Sequence, residues 1–166
     1  MGATYTIETD GLEEVQSAIK RLGLRPADTL AWRKDMGEQF VLNVADRFET
    51  GTAPDGSRWP ESGRVKHDGG QTLLDHARLR DSVHYSPTGG DLEISSNDIR
   101  ARVHNDGATI LPKKGQFLVF MGEDGKLVFM REVHIPKRTF MPVFNDGDTD
   151  SQYIESSFES FIERRW

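Results

Sequence analysis

Residues 40–61 read FVLNVADRFETGTAPDGSRWPE, and the change of rhythm inside this stretch decides the fold. Phe40, Val41, Val44, Ala45 and Phe48 recur at the spacing of a helix with one apolar face. Gly51 ends the pattern, since glycine closes a helix in the left-handed region without a Cβ clash. Pro54-Asp55-Gly56 is then a turn signal, and Trp59 sits beside Pro60 in a polar setting. An indole there needs a partner. Either it folds back under the long helix near Phe48 and staples the loop to the body, or it anchors an interface with another molecule.

Upstream, the helical pattern opens at Pro26 and Asp28 and takes in Leu30 and Met36. Before it, Asp10 and Glu13 approximate a capping box, Leu12, Val15, Ile19 and Leu22 follow at helical spacing, and Gly23 is the stop. Downstream, residues 52–70 read as one loop, long enough to be functional or disordered. LLDHARLRDSV, residues 73–83, predicts a short helix around Leu74 and Leu79. SVHYS and DLEIS predict two strands across a turn at Pro87 to Gly90. In IRARVHNDG, residues 99–107, Ile99, Ala101 and Val103 alternate with Arg100, Arg102 and His104, which predicts a third strand with one buried face.

QFLVFMGEDGKLVFMREVHI, residues 116–135, predicts a hairpin of two runs, Phe117 to Met121 and Leu127 to His134, about Glu123-Asp124-Gly125-Lys126. Phe117, Val119, Met121, Val128 and Met130 help make the runs apolar at successive positions, so both faces call for cover. The expectation is the chain's own body on one side and a neighbouring chain on the other, because a bare apolar hairpin is an aggregation hazard. IPKRTFMPVF, residues 135–144, carries two prolines and should run extended. Asp150 or Ser151 then caps a last helix bearing Ile154, Phe158, Phe161 and Ile162. The class expected is α+β, with N-terminal helices and a C-terminal helix packed around an antiparallel sheet, a long loop and an extended hairpin.

The length of 166 residues fits one domain over 1–166, with 104–138 as an inserted loop and hairpin. Hydrophobic residues make up 36% and mean hydropathy is −0.59, so the core is thin and calls for completion by another copy or a partner. A net charge of −6 argues against general adhesion to nucleic acid or anionic membrane. No run approaches the roughly 20 apolar residues of a membrane span, so the expectation is a soluble product of a cytoplasm-like compartment. Charge is uneven: residues 100–138 hold eight basic against four acidic side chains, and 139–166 hold two against six. That asymmetry suits head-to-tail contacts between identical subunits, and equally two separately solvated surfaces.

The absence of cysteine excludes thiolate metal sites and a cysteine nucleophile. His67, His76, His84, His104 and His134 show no HExxH and no paired helical spacing. GEDGK lacks the spacing of a phosphate-binding loop, and DGDTD at 146–150 departs from a calcium loop at its sixth and twelfth positions. No triad or nucleophile elbow is present, so neither an enzyme nor a cofactor is expected. The alternative is a metal-dependent nuclease or nucleic-acid-handling factor using Asp75, His76, His104 and Asp106, a set that falls short of any recognisable spacing.

Taken in order, FETGTAPDGSRWPE, LLDHARLRDSV, ARVHNDG and IPKRTFMPVF resemble the phage virion morphogenesis family, the tail completion proteins of Mu-like and related tailed phages. The matching positions are Pro54, Asp55, Gly56 and Trp59; Leu74, Leu79 and Ser82; His104 and Gly107; and Ile135, Pro136, Arg138 and Phe140. The chain departs from the pattern at Asn105, after the histidine, and in the hairpin inserted before IPKR. The resemblance implies a structural virion protein, assembled in the host cytoplasm into a homo-oligomeric ring. It would act in tail completion and head-tail joining at the neck, with neck and tail proteins as partners and no membrane. Specific nucleic-acid binding is not implied, although DNA passes through the lumen of such a ring. The interface residues expected are Trp59, Phe117, Val119, Met121, Val128, Met130, Arg138, Phe140, Glu155 and Glu159, with Arg138 pairing Glu155 or Glu159 of a neighbour.

Overall fold

The computed structural model describes residues 13–122, 126–144 and 149–165. Its class is α+β. The helices are α1 (Glu13–Arg21), α2 (Leu30–Thr50), α3 (Gly63–Asp68), α4 (Ala101–Asp106) and α5 (Thr149–Arg165). The strands are β1 (Val83–Thr88), β2 (Asp91–Ser96), β3 (Ala108–Ile110), β4 (Leu118–Met121), β5 (Leu127–Met130) and β6 (Val133–Ile135).

The spine is α2, whose 21 residues span about 30 Å. Met36, Phe40, Val44 and Phe48 fall four apart on its inner face and are buried, as their spacing predicts. Gly51 follows with φ +67° and returns its N–H to the Arg47 carbonyl. Pro26 and Asp28 lie in the preceding turn rather than in the helix, and Leu30 and Leu22 are more than a third exposed. The proposed cap at Asp10 and the apolar Leu12 fall outside the described residues.

On one side α2 meets the β1/β2 hairpin, paired from Val83 with Ser96 to Thr88 with Asp91. Contact is closest at Gly37, where an added Cβ would lie 2.2 Å from the Tyr85 ring. On the other side α5 runs antiparallel to α2. Arg47 meets Asp150, Phe40 stacks edge-on against Tyr153, Met36 meets Ser157, Trp32 packs on Phe158 and Phe161, and Asp28 pairs with Arg165.

Asp150 and Ser151, expected as caps, both lie inside the first turn of α5, and Asp150 has another role. Its carboxylate is fully buried, accepts Arg47 Nη2 on both oxygens at 2.7 Å and takes the Val143 N–H at 3.2 Å. Arg47 Nη1 reaches the Phe140 carbonyl at 3.0 Å. An aspartate placed where a cap is expected therefore ties three segments through the core.

Five sequence expectations are corrected. Instead of one sheet the strands form three separate two-stranded antiparallel ladders, β1/β2, β3/β6 and β4/β5, so α5 packs on one side of α2 and β1/β2 on the other. Residues 73–83 turn irregularly, with a 3₁₀ turn only at Arg80–Ser82, because Leu73 and Ala77 adopt left-handed φ values of 64° and 55° that interrupt a helix. The alternating stretch at 99–107 is helical from Ala101 to Asp106. It buries Ala101 and Asn105 four apart and leaves Ile99 74% exposed. Finally, the run Leu127 to His134 is broken into β5 and β6, and the loop of residues 52–70 contains α3, which Ser62 caps by accepting the Val65 N–H.

Two substitutions test this packing. Alanine for a mid-helix glycine ordinarily stabilises by about 1 kcal/mol. Gly37→Ala is expected instead to lower stability by about 1–3 kcal/mol through collision with Tyr85, read as a lower midpoint in a denaturant melt. Asp150→Ala, which leaves the Arg47 guanidinium buried without its carboxylate, is expected to cost about 3–5 kcal/mol in the same assay.

Candidate functional site

The four ordered motifs meet at one junction beside the C-terminal end of α2. Within residues 52–59, Asp55 accepts the Ser57 N–H and Gly56 adopts φ +80°, so the chain doubles back and Trp59 N–H reaches the Gly51 carbonyl. The indole then packs edge-on against Phe48 at 5.5 Å, and its Nε1 donates to the Thr139 carbonyl at 3.0 Å. The loop is thus stapled to the body. Arg138 Nε donates to the Pro60 carbonyl at 2.7 Å, and Arg138 N–H donates to the His104 carbonyl. Phe140 lies fully buried against Phe48.

Trp59, Arg138 and Phe140, expected at an interface, are buried inside their own chain. The Arg138 side chain is held under the loop, where it donates to the Pro60 carbonyl. Aromatic and arginine residues mark interiors as well as interfaces, so residue type alone could not separate the two.

Asn105, which departs from the motif, does unexpected work. Its Oδ1 accepts the N–H groups of Phe140 and Met141, both at 3.0 Å, and so latches the extended segment to α4. Gly107 completes the junction: at φ +75°, a Cβ there would come within 3.0 Å of the Lys137 nitrogen and the Ile135 carbonyl. Nothing in the sequence separates this asparagine from one that faces water.

From this junction an arm leaves the body. The β3/β6 ladder pairs Ala108 with Ile135 and Ile110 with Val133, and β4/β5 pairs Leu118 with Met130 and Met121 with Leu127 beyond it. The turn at Glu123 to Gly125 lies outside the described residues. Phe117, Val119, Phe120, Met121, Leu127, Phe129 and Met130 are 41–65% exposed, while Leu118 and Val128 are half-buried. Cross-strand partners share a face, so Val119 and Phe129 emerge on one side and Phe120 and Val128 on the other. Among the described residues, neither side of the ladder has the expected cover from the chain's own body, as the exposure of these side chains shows.

On α5, Glu155, Glu159 and Glu163 are exposed at intervals of four and pair with no cation among the described residues. Like charges at that spacing repel by a few tenths of a kcal/mol per pair.

A cavity of about 330 Å³ opens beside the junction, lined by Ser62, Arg64, Leu73, Asp75, His76, Ala77, Arg78, Leu79, Arg100 and His104. It brings together Asp75, His76 and His104 from the nuclease alternative, but not Asp106. Among the described residues, no group of three or more His, Asp or Glu side chains is placed to hold a metal ion. Three arginines around one carboxylate favour an anion over a hard cation. The His104 imidazole has its Nδ1 buried without a hydrogen-bond partner. Burial pushes its pKa below the usual 6.5, and the Arg138 and Arg100 charges push it the same way, against a weaker opposing pull from Asp98.

This shift has a sign in stability. The unfolded chain takes up the His104 proton first as pH falls, so folding stability is full above about pH 6.5 and declines through the depressed folded pKa. Replacing His104 by Gln should flatten the melting midpoint against pH between about 7 and 5 relative to the parent chain.

No curated protein and no solved structure matches this chain. The sequence model of the phage virion morphogenesis family matches residues 10–163, a span that takes in the stapled loop, the latch at Asn105, the projecting arm and nearly all of α5. The chain therefore belongs to the phage virion morphogenesis family, whose role is in the structure and assembly of the virion.

Proposed function

We propose that this protein is a tail completion component that joins tail to head at the neck as a homo-oligomeric ring. The observation that carries the proposal is the arm. A two-stranded ladder with apolar side chains exposed on both faces is marginal in water and prone to edge pairing. Its natural occupant is a second copy of the chain. A subunit in a ring has a neighbour on each side, which matches an arm with two faces to cover. Charge favours the same occupant: Lys113, Lys114, Lys126 and Arg131 flank the arm, whereas the C-terminal helix carries the unpaired acidic stripe.

The body is suited to holding such an arm still. The staple at Trp59, the latch at Asn105 and the Arg47/Asp150 pair fix the junction from which the arm projects. Residues 104–138 act as an assembly insertion within a single morphogenesis domain, and the ring's other contacts are with neck and tail proteins.

The test alters each face separately. Phe129→Glu on one face and Phe120→Glu on the other should leave the monomer's melting midpoint within a few degrees, because neither ring belongs to the core. Each should weaken self-association by about thirtyfold or more in light scattering, and rings seen in negative stain should disappear. In infected cells, heads and tails should then accumulate unjoined. Rings of normal size from both variants would overturn the proposal.

A further inference from the structure

We infer that the arginine-lined cavity beside the junction is the socket for acidic side chains of α5 from a second copy of this chain. The inference rests on the self-assembly proposed above and names a contact that the arm alone does not supply.

The socket is predominantly cationic, with three arginines against the single carboxylate of Asp75. Arg64, Arg78 and Arg100 come from three different segments and line one cavity, while Leu73 and Leu79 give it an apolar floor. Such a site takes a carboxylate on a short hydrocarbon stem: the guanidinium planes match the two oxygens, and the methylenes cover leucine. Arg64 and Arg100 are already fixed, Arg64 by the Gly69 and Gln71 carbonyls and Arg100 by Asp98. Arg78 is exposed and, among the described residues, makes no hydrogen bond or ion pair, so its charge is open to a partner. His104 lines the same cavity.

The plug is of the opposite sign. Glu155, Glu159 and Glu163 form a line of exposed carboxylates about 6 Å apart along α5. Their mutual repulsion weakens the helix that carries them, and a cationic partner would remove that cost.

Within one chain, Glu159 and Glu163 lie far from the cavity. The cavity lies by the C-terminal end of α2, where Gln71 bonds the Glu49 carbonyl and Arg80 approaches Glu49 at 3.8 Å. Glu159 follows Phe158, which packs on Trp32 near the other end. Trp32 and Glu49 are separated by about 25 Å along the helix. A socket at one end of a rigid spine and a plug towards the other produce a head-to-tail contact, which closes into a ring or runs on as a filament. The net charge of −6 disfavours nucleic-acid phosphate as the occupant.

The test is a charge exchange in the full chain, read by sedimentation velocity over a concentration series. Arg78→Glu alone, and Glu155→Arg with Glu159→Arg together, should each weaken association by about tenfold or more, while the three changes combined should restore it to within about threefold of the parent. Arg78→Gln, which only removes the charge, should give an intermediate loss and guards against a folding artefact. If the parent assembles and neither set weakens it, or both weaken it and the combination fails to recover, the socket is overturned while the assembly reading stands. Loss of binding to a DNA duplex by Arg78→Glu with assembly intact would assign the cavity to phosphate and overturn it as well. A parent chain that stays monomeric at every concentration would overturn both readings together.

Discussion

A guanidinium and a carboxylate, both inside the core, hold this molecule in register. Arg47 contacts both oxygens of Asp150 and the Phe140 carbonyl, and Asp150 also takes the Val143 N–H. The spine, the extended segment and the last helix are joined by this one pair. Apolar replacements of equal volume often match a buried ion pair in net stability, whereas losing one partner is heavily destabilising. The pair therefore acts as a constraint: α5 and residues 140–143 have one seating on α2 in which no buried charge is left alone. The other junction contacts follow from that seating, since Asn105 latches Phe140 and Met141, Trp59 donates to Thr139, and Phe48 receives both rings.

A rigid body with an unsupported arm divides the work of the chain. The core is closed by buried side chains from α1, α2, β1, β2, α4 and α5 together with Trp59 and Phe140, and no buried residue of the arm's outer ladder contributes to it. Most apolar side chains of β4 and β5 lie outside the core of their own protomer, and in water they carry a solvation cost. An arm of this kind makes physical sense in a virion assembly protein, where the missing cover is another molecule. In the proposed assembly orientation is a separate matter, assigned to the cationic cavity and the acidic helix.

The sequence was most legible where a single period governs. The stripe Met36, Phe40, Val44 and Phe48, the stop at Gly51, the turn between β1 and β2, and the apolar runs of the arm all appear where the spacing places them. It was least legible where polar groups decide. Residues 99–107 alternate like a strand, yet Asp98 accepts the Arg100 N–H and opens a six-residue helix whose point is the buried Asn105 amide. An asparagine that accepts two backbone bonds looks in sequence like one that faces water. Asp150 shows the same ambiguity, because a helix cap and a buried ion-pair partner call for the same residue. Of the ten residues expected at an interface, the arm positions and the two glutamates are on the surface or partly so, and the three motif residues are inside. The motif residues build the junction, and the inserted segment holds the exposed surface.

The central claim is that the arm acquires its cover only from another copy of the chain. Amide hydrogen exchange over residues 117–130, followed from dilute to concentrated protein, addresses it most directly. An uncovered two-stranded ladder opens readily, so exchange should be fast in dilute solution and slow by orders of magnitude as particles form, while α2 stays protected throughout. Strong protection of the arm in the dilute monomer, or fast exchange persisting in the assembled particle, would contradict the account.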